Sequence, residues 1–325
     1  MNLMIGVDLG GTFTKFGLVT EGGELIADHF IETDSTVAFS EFFERLYGEL
    51  KKLMDRAAGS DHVTGIGIGA PSGNYLNGKI ENASNLNWPN FIPVAKIMAD
   101  ISDLPVAITN DANAAAIGEM KYGIAKNEKN FISLTLGTGL GCGIVIDGKL
   151  VNGINGHAGE LGHTIAVRNG RLCGCGRHGC LETYVSAPGL LRTLLKLLES
   201  TSTESVFRRR NHQSITAKQI TDEASKGDPL ALEAFERTGK ILGEKLADVT
   251  ALLNPSLIVL SGGLAKSGSL ILNPTRSHFE SNLLRVYKNT VAIELSEMTK
   301  KNAAILGAAA MMWEQDFGVL NTQYM

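Results

Sequence analysis

The chain is short of basic charge, of aromatic side chains and of long apolar runs. Its 30 lysines and arginines are outnumbered by 34 aspartates and glutamates, a formal net charge of −4, whereas a nucleic-acid binder needs a basic face. The longest basic run, Arg208-Arg209-Arg210, lies beside Asn211 and His212 in a polar stretch and is expected to be a solvated loop. No apolar segment approaches the ~20 residues that span a bilayer, and nothing ahead of Asp8 resembles a signal peptide, so a cytoplasmic protein is expected. Aromatics make up 6% of the residues while glycines number 37, a balance suited to tight turns between strands and close backbone approaches. At 325 residues there is room for two domains of ordinary size.

Cysteine is also scarce, but three of the four fall within eight positions, Cys173, Cys175 and Cys180, separated by glycines. Glycine lets the backbone fold back so that three sulfurs converge, the pattern of a metal knuckle. A disulfide or free thiols are the competing reading. Three thiols cannot pair evenly, and nothing sends the chain to an oxidising compartment. A closed tetrahedral site needs a fourth ligand; His163 is the nearest candidate and His178 the rival, which is strained inside its own Gly-Arg-His-Gly turn. A ligating imidazole keeps a second ring nitrogen for hydrogen bonding, and Glu160 and Glu182 bracket the knuckle. Two carboxylates and an oriented imidazole suit a ligand rich in hydroxyls, although both glutamates also read as solvated surface charges.

In chain order, residues 3–9 and 13–20 read as a hairpin tipped by Gly10-Gly11-Thr12, with a third strand at 24–32. Apolar spacing predicts a helix over 39–54, then a strand at 63–69, a loop at 70–74, a helix at 92–101 and a buried strand at 106–109. Asn110 and Asp111 stand where that strand ends and an alanine-rich helix over 114–122 begins, a place where α/β sheets commonly bind ligands and where a helix cap is the plainer role. Strands are predicted at 131–136, 142–146 and from 149, helices at 190–198, 216–226 and 230–253, and a strand at 257–260 that runs into Ser261-Gly262-Gly263. A helix at 270–284, a strand at 291–295 and a small-residue helix at 303–312 complete the chain. Cys142 reads as a small core residue, and His29, His62, His157, His212 and His278 as structural.

The chain repeats itself. Strand, glycine turn, strand, glycine turn, strand occurs at 3–32 and again at 131–154, with Leu9-Gly10-Gly11-Thr12 matched by Leu136-Gly137-Thr138-Gly139. Two domains of one topology are expected, each with a glycine loop whose N–H groups suit an anionic phosphate.

Taken together, Asp8 to Thr12, Asn110-Asp111, Leu136 to Gly139, Glu160-Leu161-Gly162-His163, the Cys173–Cys180 knuckle and Ser261-Gly262-Gly263 resemble the ROK family of sugar kinases and repressors and, within it, the bacterial ATP-dependent glucokinases. The resemblance implies an α/β protein of two actin-like, hexokinase-type (ribonuclease H-like) domains closing over a ligand cleft. It gives a small domain over 1–112, joined by a C-terminal helix over 303–325, a large domain over 113–302 that carries the knuckle, and assembly as a homodimer or homotetramer. It implies ATP, Mg2+ and a structural Zn2+ as cofactors. Asp8, Gly10, Gly11, Thr12, Gly137, Thr138 and Gly139 would hold the phosphates, with Asp8 near the magnesium, and Gly262 and Gly263 would lie near the adenosine. Asp111 would be the catalytic base. Asn110, Asp111, Glu160, His163, Glu182 and Gly73 would bind the sugar, and His163, Cys173, Cys175 and Cys180 the zinc. Cys142 stands where the family often has glycine.

The expected reaction moves the γ-phosphate of ATP to the 6-hydroxyl of glucose. An N-acetylmannosamine or N-acetylglucosamine kinase of the same family is the alternative enzyme. A sugar-sensing repressor is the alternative outside enzymes, and it needs a DNA-binding helix-turn-helix ahead of the kinase fold, where only seven residues precede Asp8.

Overall fold

The apolar N-terminal run forms β1 (Asn2–Leu9), which turns back antiparallel as β2 (Phe13–Thr20) and then β3 (Leu25–Glu32). This computed structural model describes residues 2–56, 62–83, 86–298 and 303–313. Helix α1 (Phe39–Arg56) leads to β4 (His62–Ala70), which pairs parallel with the free side of β1. A small three-stranded sheet of β5 (Gly73–Asn74), β6 (Lys79–Glu81) and β7 (Phe91–Ile92) follows, then α2 (Val94–Ser102) and β8 (Val106–Asn110), parallel to β4. The main sheet therefore runs β3-β2-β1-β4-β8. Helix α3 (Asp111–Tyr122) starts directly at the end of β8, three residues earlier than its alanine run suggests, because Asn110 caps it: its Oδ1 accepts from Ala112 N–H at 2.7 Å.

The same order returns downstream. Strands β9 (Phe131–Leu136), β10 (Leu140–Ile146), β11 (Lys149–Leu150), β12 (Leu257–Ser261) and β13 (Ala292–Leu295) make a second sheet ordered β11-β10-β9-β12-β13. The expected repeat is thus one of sheet topology, an antiparallel edge followed by parallel strands. Parallel pairing of β9 with β12 needs a long crossover, supplied by α4 (Ala187–Ser200), α5 (Ala217–Ala224) and α6 (Pro229–Leu253). Their starts are fixed by side-chain caps, Ser186 on Gly189 N–H, Thr216 in a reciprocal box with Gln219, and Asp228 on Ala231 N–H. Gly262 and Gly263 open a short helix, α7 (Gly262–Ala265), rather than a bare turn. α8 (Ser269–Asn282) packs on α6, and α9 (Ala303–Met311) is the last described element.

The described residues divide into two compact units, one within Met1–Asn127, Gly143–Ala158 and Glu297–Met325, the other within Glu128–Cys142 and Gly159–Ser296. The first runs past residue 112 to hold all of α3. In it the period of two along β1 sends Leu3, Ile5 and Val7 into a core with Phe16, Phe42 and Phe43, and sends Met4 to the opposite face, against Ile305, Leu306 and Ala309 of α9. Glycine lets α9 approach: a Cβ at Gly6 would lie 2.0 Å from the carbonyl oxygen of Ile305, and one at Gly67 1.9 Å from that of Ala308.

Two expectations are corrected. The stretch 70–74 is not all loop, since Gly73 and Asn74 form β5. The Arg208–Arg210 run is fastening rather than a solvated loop: the Arg208 guanidinium donates to the carbonyls of Leu198, Thr201 and Thr203, and Arg210 pairs with Glu223 at 2.6 Å. Among the described residues no helix is long and apolar enough to cross a membrane.

Candidate functional site

In the first unit the sheet register brings two carboxylates to one edge. Asp8 lies opposite Gly69, and the next residue of β4, Ala70, lies opposite Asn110, so the end of β1 and the start of α3 meet the same rim. Asp8 is pushed up to about 6 by burial, held back by Lys15 beside it on β2 and reinforced by Asp111. Asp111 keeps a solvent-facing surface, yet the protein around its carboxyl displaces enough water to raise its pKa, against donation from Ala112 N–H at 2.8 Å and from its own N–H. A carboxylate moved toward neutrality at a helix N-terminus is suited to accept a proton. At 110–111 the two side chains thus do different things: Asn110 caps α3, and Asp111 carries the raised carboxyl.

The first glycine turn is held by its own backbone. Gly10 N–H donates to Phe13 C=O at 3.1 Å and a Cβ at Gly10 would lie 2.8 Å from that oxygen, while Thr12 C=O accepts from Thr33 N–H. Gly73 is buried against the last residues of β8, where a Cβ would sit 2.3 Å from the Thr109 carbonyl oxygen. Beside it lies a polar cluster the sequence did not announce. Asn74 donates to Glu81 at 2.9 Å and to the Asn155 carbonyl at 2.8 Å, and Glu81 also meets Asn77 and His157. Burial works against ionisation of Glu81, but these three partners outweigh it and hold its carboxyl below the usual range. His157 and His278 thus have carboxylate partners, Glu81 and Glu236, 76 and 42 positions away.

In the second unit the parts converge on the turn between β9 and β10. Glu182 Oε2 accepts from Leu140 N–H at 2.9 Å, and Ala187 N–H donates to Gly137 C=O at 2.8 Å. A Cβ at Gly162 would lie 2.3 Å from the Leu140 carbonyl oxygen, one at Gly159 2.3 Å from that of Cys142, and one at Gly262 2.6 Å from that of Leu136. Gly262 also holds φ at +86°. Its glycine is accordingly demanded by β9; Gly263 faces open space. Thr138 is exposed, and Cys142 is buried with its thiol pushed up to about 12 by burial and by Glu160.

The knuckle brings His163, Cys173, Cys175 and Cys180 together, their donor atoms all within 4.8 Å of one another. None of the cysteines is in a disulfide, and His178 is not among the converging groups. Cys173 Sγ is 3.6 Å from His163 Nδ1, and Cys175 Sγ is 3.6 Å from Cys180 Sγ. A tetrahedral ion with typical bond lengths sets about 3.6 Å between sulfur and nitrogen and about 3.8 Å between sulfurs, so the donor set fits one. Arg177 fastens it, with its backbone N–H and guanidinium drawing the exposed Cys175 thiol down to about 6 and its guanidinium on the His163 carbonyl at 2.6 Å. With Nδ1 turned to the sulfurs, His163 Nε2 points outward, 3.9 Å from Glu160 Oε2. Arg171 lies over the Tyr184 ring and donates to Thr183 and Gly189 carbonyls, tying the knuckle to the segment that carries Glu182.

These features define a mixed α/β, actin-like protein of the sugar-kinase type. The chain belongs to the ROK family, whose model matches residues 4–315. It is 33% identical to a glucokinase of Halalkalibacterium halodurans over 316 residues, 96% of this chain and 95% of that one. A ROK glucokinase from Streptomyces griseus, solved in complex with glucose and AMPPNP, superposes with a TM-score of 0.79 at 32% identity, covering 94% of this chain and 98% of the other. A xylose repressor of Caldicellulosiruptor bescii is 31% identical over 314 residues, 95% of this chain and 77% of the repressor. The family therefore includes sugar kinases and sugar-responsive repressors.

Proposed function

We propose that this chain is a cytoplasmic ATP-dependent hexose kinase, a glucokinase, active as a homodimer or homotetramer. The observation that carries the reading is the Asp111 carboxyl, raised in pKa at the start of α3, in a chain similar over nearly its whole length to a kinase bound to glucose and a nucleotide analogue. Asp111 accepts the proton of the 6-hydroxyl as that oxygen attacks the γ-phosphorus of ATP in line. Asn110, Gly73, Glu160, His163 and Glu182 hold the sugar, with His163 offering Nε2. Gly10, Gly11, Thr12, Gly137, Thr138 and Gly139 hold the phosphates, and Gly262 and Gly263 lie near the adenosine. Magnesium, when bound, would spread the phosphate charge, and Asp8 would stand near it. His163, Cys173, Cys175 and Cys180 would hold a zinc ion in a structural role, since four protein donors would leave it no open position.

Glucose is the preferred acceptor. Carboxylates such as Glu160 and Glu182 accept from hydroxyl donors, and exchanging the 2-hydroxyl for an acetamido group adds bulk and removes the partner, a mismatch worth up to ~10⁴-fold at a polar site. A coupled assay of ATP consumption over glucose, mannose, N-acetylmannosamine and N-acetylglucosamine tests this, with the highest kcat/KM expected for glucose and the next for mannose. An acetamido sugar equal to or above glucose overturns the glucokinase reading. Sugar binding without turnover of any of the four overturns the kinase reading in favour of a sugar sensor.

A further inference from the structure

We infer that Glu182 is a positioning residue that couples the sugar to the β9–β10 glycine turn, so that sugar and nucleotide bind cooperatively. The inference rests on the kinase reading above. Sequence places Glu182 among sugar ligands and Gly139 among phosphate ligands, two roles with no evident connection, yet the two residues are in contact. Glu182 Oε2 accepts from Leu140 N–H at 2.9 Å, and a Cβ on Gly139 would lie 2.5 Å from the same oxygen and 3.4 Å from its Cδ. At Gly137, in the same turn, an added Cβ would meet nothing within 4 Å. A side chain at 139 would therefore push the Glu182 carboxylate aside, whereas one at 137 would meet nothing.

The residues around the pair make it a strap. The chain leaves the knuckle at Cys180 and enters α4 at Ala187. Along the way it grips the turn twice, through Glu182 on Leu140 N–H and through Ala187 N–H on Gly137 C=O. Arg171 holds the middle of the strap at the Thr183 carbonyl, 2.7 Å away. The other carboxylate oxygen, Oε1, faces the knuckle, 4.0 Å from Cys173 Sγ. A carboxylate has about four acceptor positions, so a sugar hydroxyl can join Glu182 without displacing Leu140. A hydroxyl there orders the carboxylate, and an ordered carboxylate fixes the Leu140 N–H and with it the turn that holds phosphate. By linkage the coupling is reciprocal, with a typical size of 5–150-fold.

Equilibrium titrations of glucose alone and of AMPPNP alone test it. In Gly139→Ala the new methyl displaces Glu182, and glucose affinity is expected to fall about 10-fold although the substitution lies in the phosphate turn. Gly137→Ala is expected to leave glucose affinity within a factor of about two of wild type. In the other direction, Glu182→Ala is expected to weaken AMPPNP several-fold with no sugar present, and Glu182→Gln, which keeps an oxygen for Leu140, to restore it. Equal glucose affinity in the two glycine variants overturns the coupling; if Gly139→Ala does not fold, an AMPPNP affinity unchanged in Glu182→Ala overturns it. A wild-type protein that binds no glucose overturns the kinase reading itself, an outcome distinct from either.

Discussion

Asp8 and Asp111 are carboxyls that the protein's own packing makes harder to ionise, and each carries a prediction. Asp111→Asn fills the same space but cannot take a proton, so kcat is expected to fall at least ~10²-fold with glucose affinity kept within a few-fold. A variant within about threefold of wild-type kcat contradicts the assignment. Because the base works ionised and its pKa is raised, wild-type kcat should rise with pH along an acid limb lying above the usual aspartate range. For Asp8 the consequence is in stability. Its folded value of about 6 exceeds the unfolded ~3.9, so the unfolded chain ionises first and stability falls as pH rises from about 4 to 6. Above that window the cost persists, on the order of 3 kcal/mol. Asp8→Asn should therefore raise the Tm of the ligand-free protein at pH 7.5, with the gain vanishing near pH 4 in a thermal melt series.

At the scale of elements, the knuckle and α9 yield opposite kinds of test. Cys175→Ala removes one of four donors, so metal content, measured by elemental analysis after a chelator wash, should fall from about one zinc per chain together with Tm and glucose affinity. Retention of activity in wild-type protein shown to lack zinc contradicts this. Gly67→Ala sets a methyl against the Ala308 carbonyl and should cost about 1–3 kcal/mol, whereas Gly48→Ala, on α1 with nothing within 4 Å of the new atom, should gain about 0.5–1 kcal/mol from helix propensity. Paired thermal melts distinguish them. What was legible follows the same physics. The helices announced themselves through apolar spacing, and the knuckle through cysteine spacing, because these signals are local. Strands β5 to β7, two or three residues each, are too short to show a period. Contacts such as Glu182 with Leu140, or Glu81 with His157, join residues 42 and 76 positions apart, and no local pattern reports them. The sequence reads Gly139 as phosphate-binding, Gly73 as sugar-binding and Gly262 as near the adenosine, yet at each of them a Cβ would also strike the protein itself.

For the molecule as a whole, the repeat of one sheet order in two places was visible in the sequence from the paired glycine turns. The route of the chain through the two units was not, since residues 143–158 join the first unit after 128–142 have begun the second. The first unit is also completed from the far end of the sequence: Met4 of β1 shares a cluster with Ile305, Leu306 and Ala309. A chain truncated after residue 298 is accordingly expected to lose cooperative unfolding of that unit and to expose apolar surface, read out by dye binding and by circular dichroism. The same closure sets a clock on biosynthesis. At ~5–20 residues per second a ribosome needs roughly 15–60 s to pass from the first strand to the last helix. Through that interval the face of the first-made sheet that packs on α9 is only partly covered, by α3, and its apolar side chains stay open to solvent until residues 303–311 emerge.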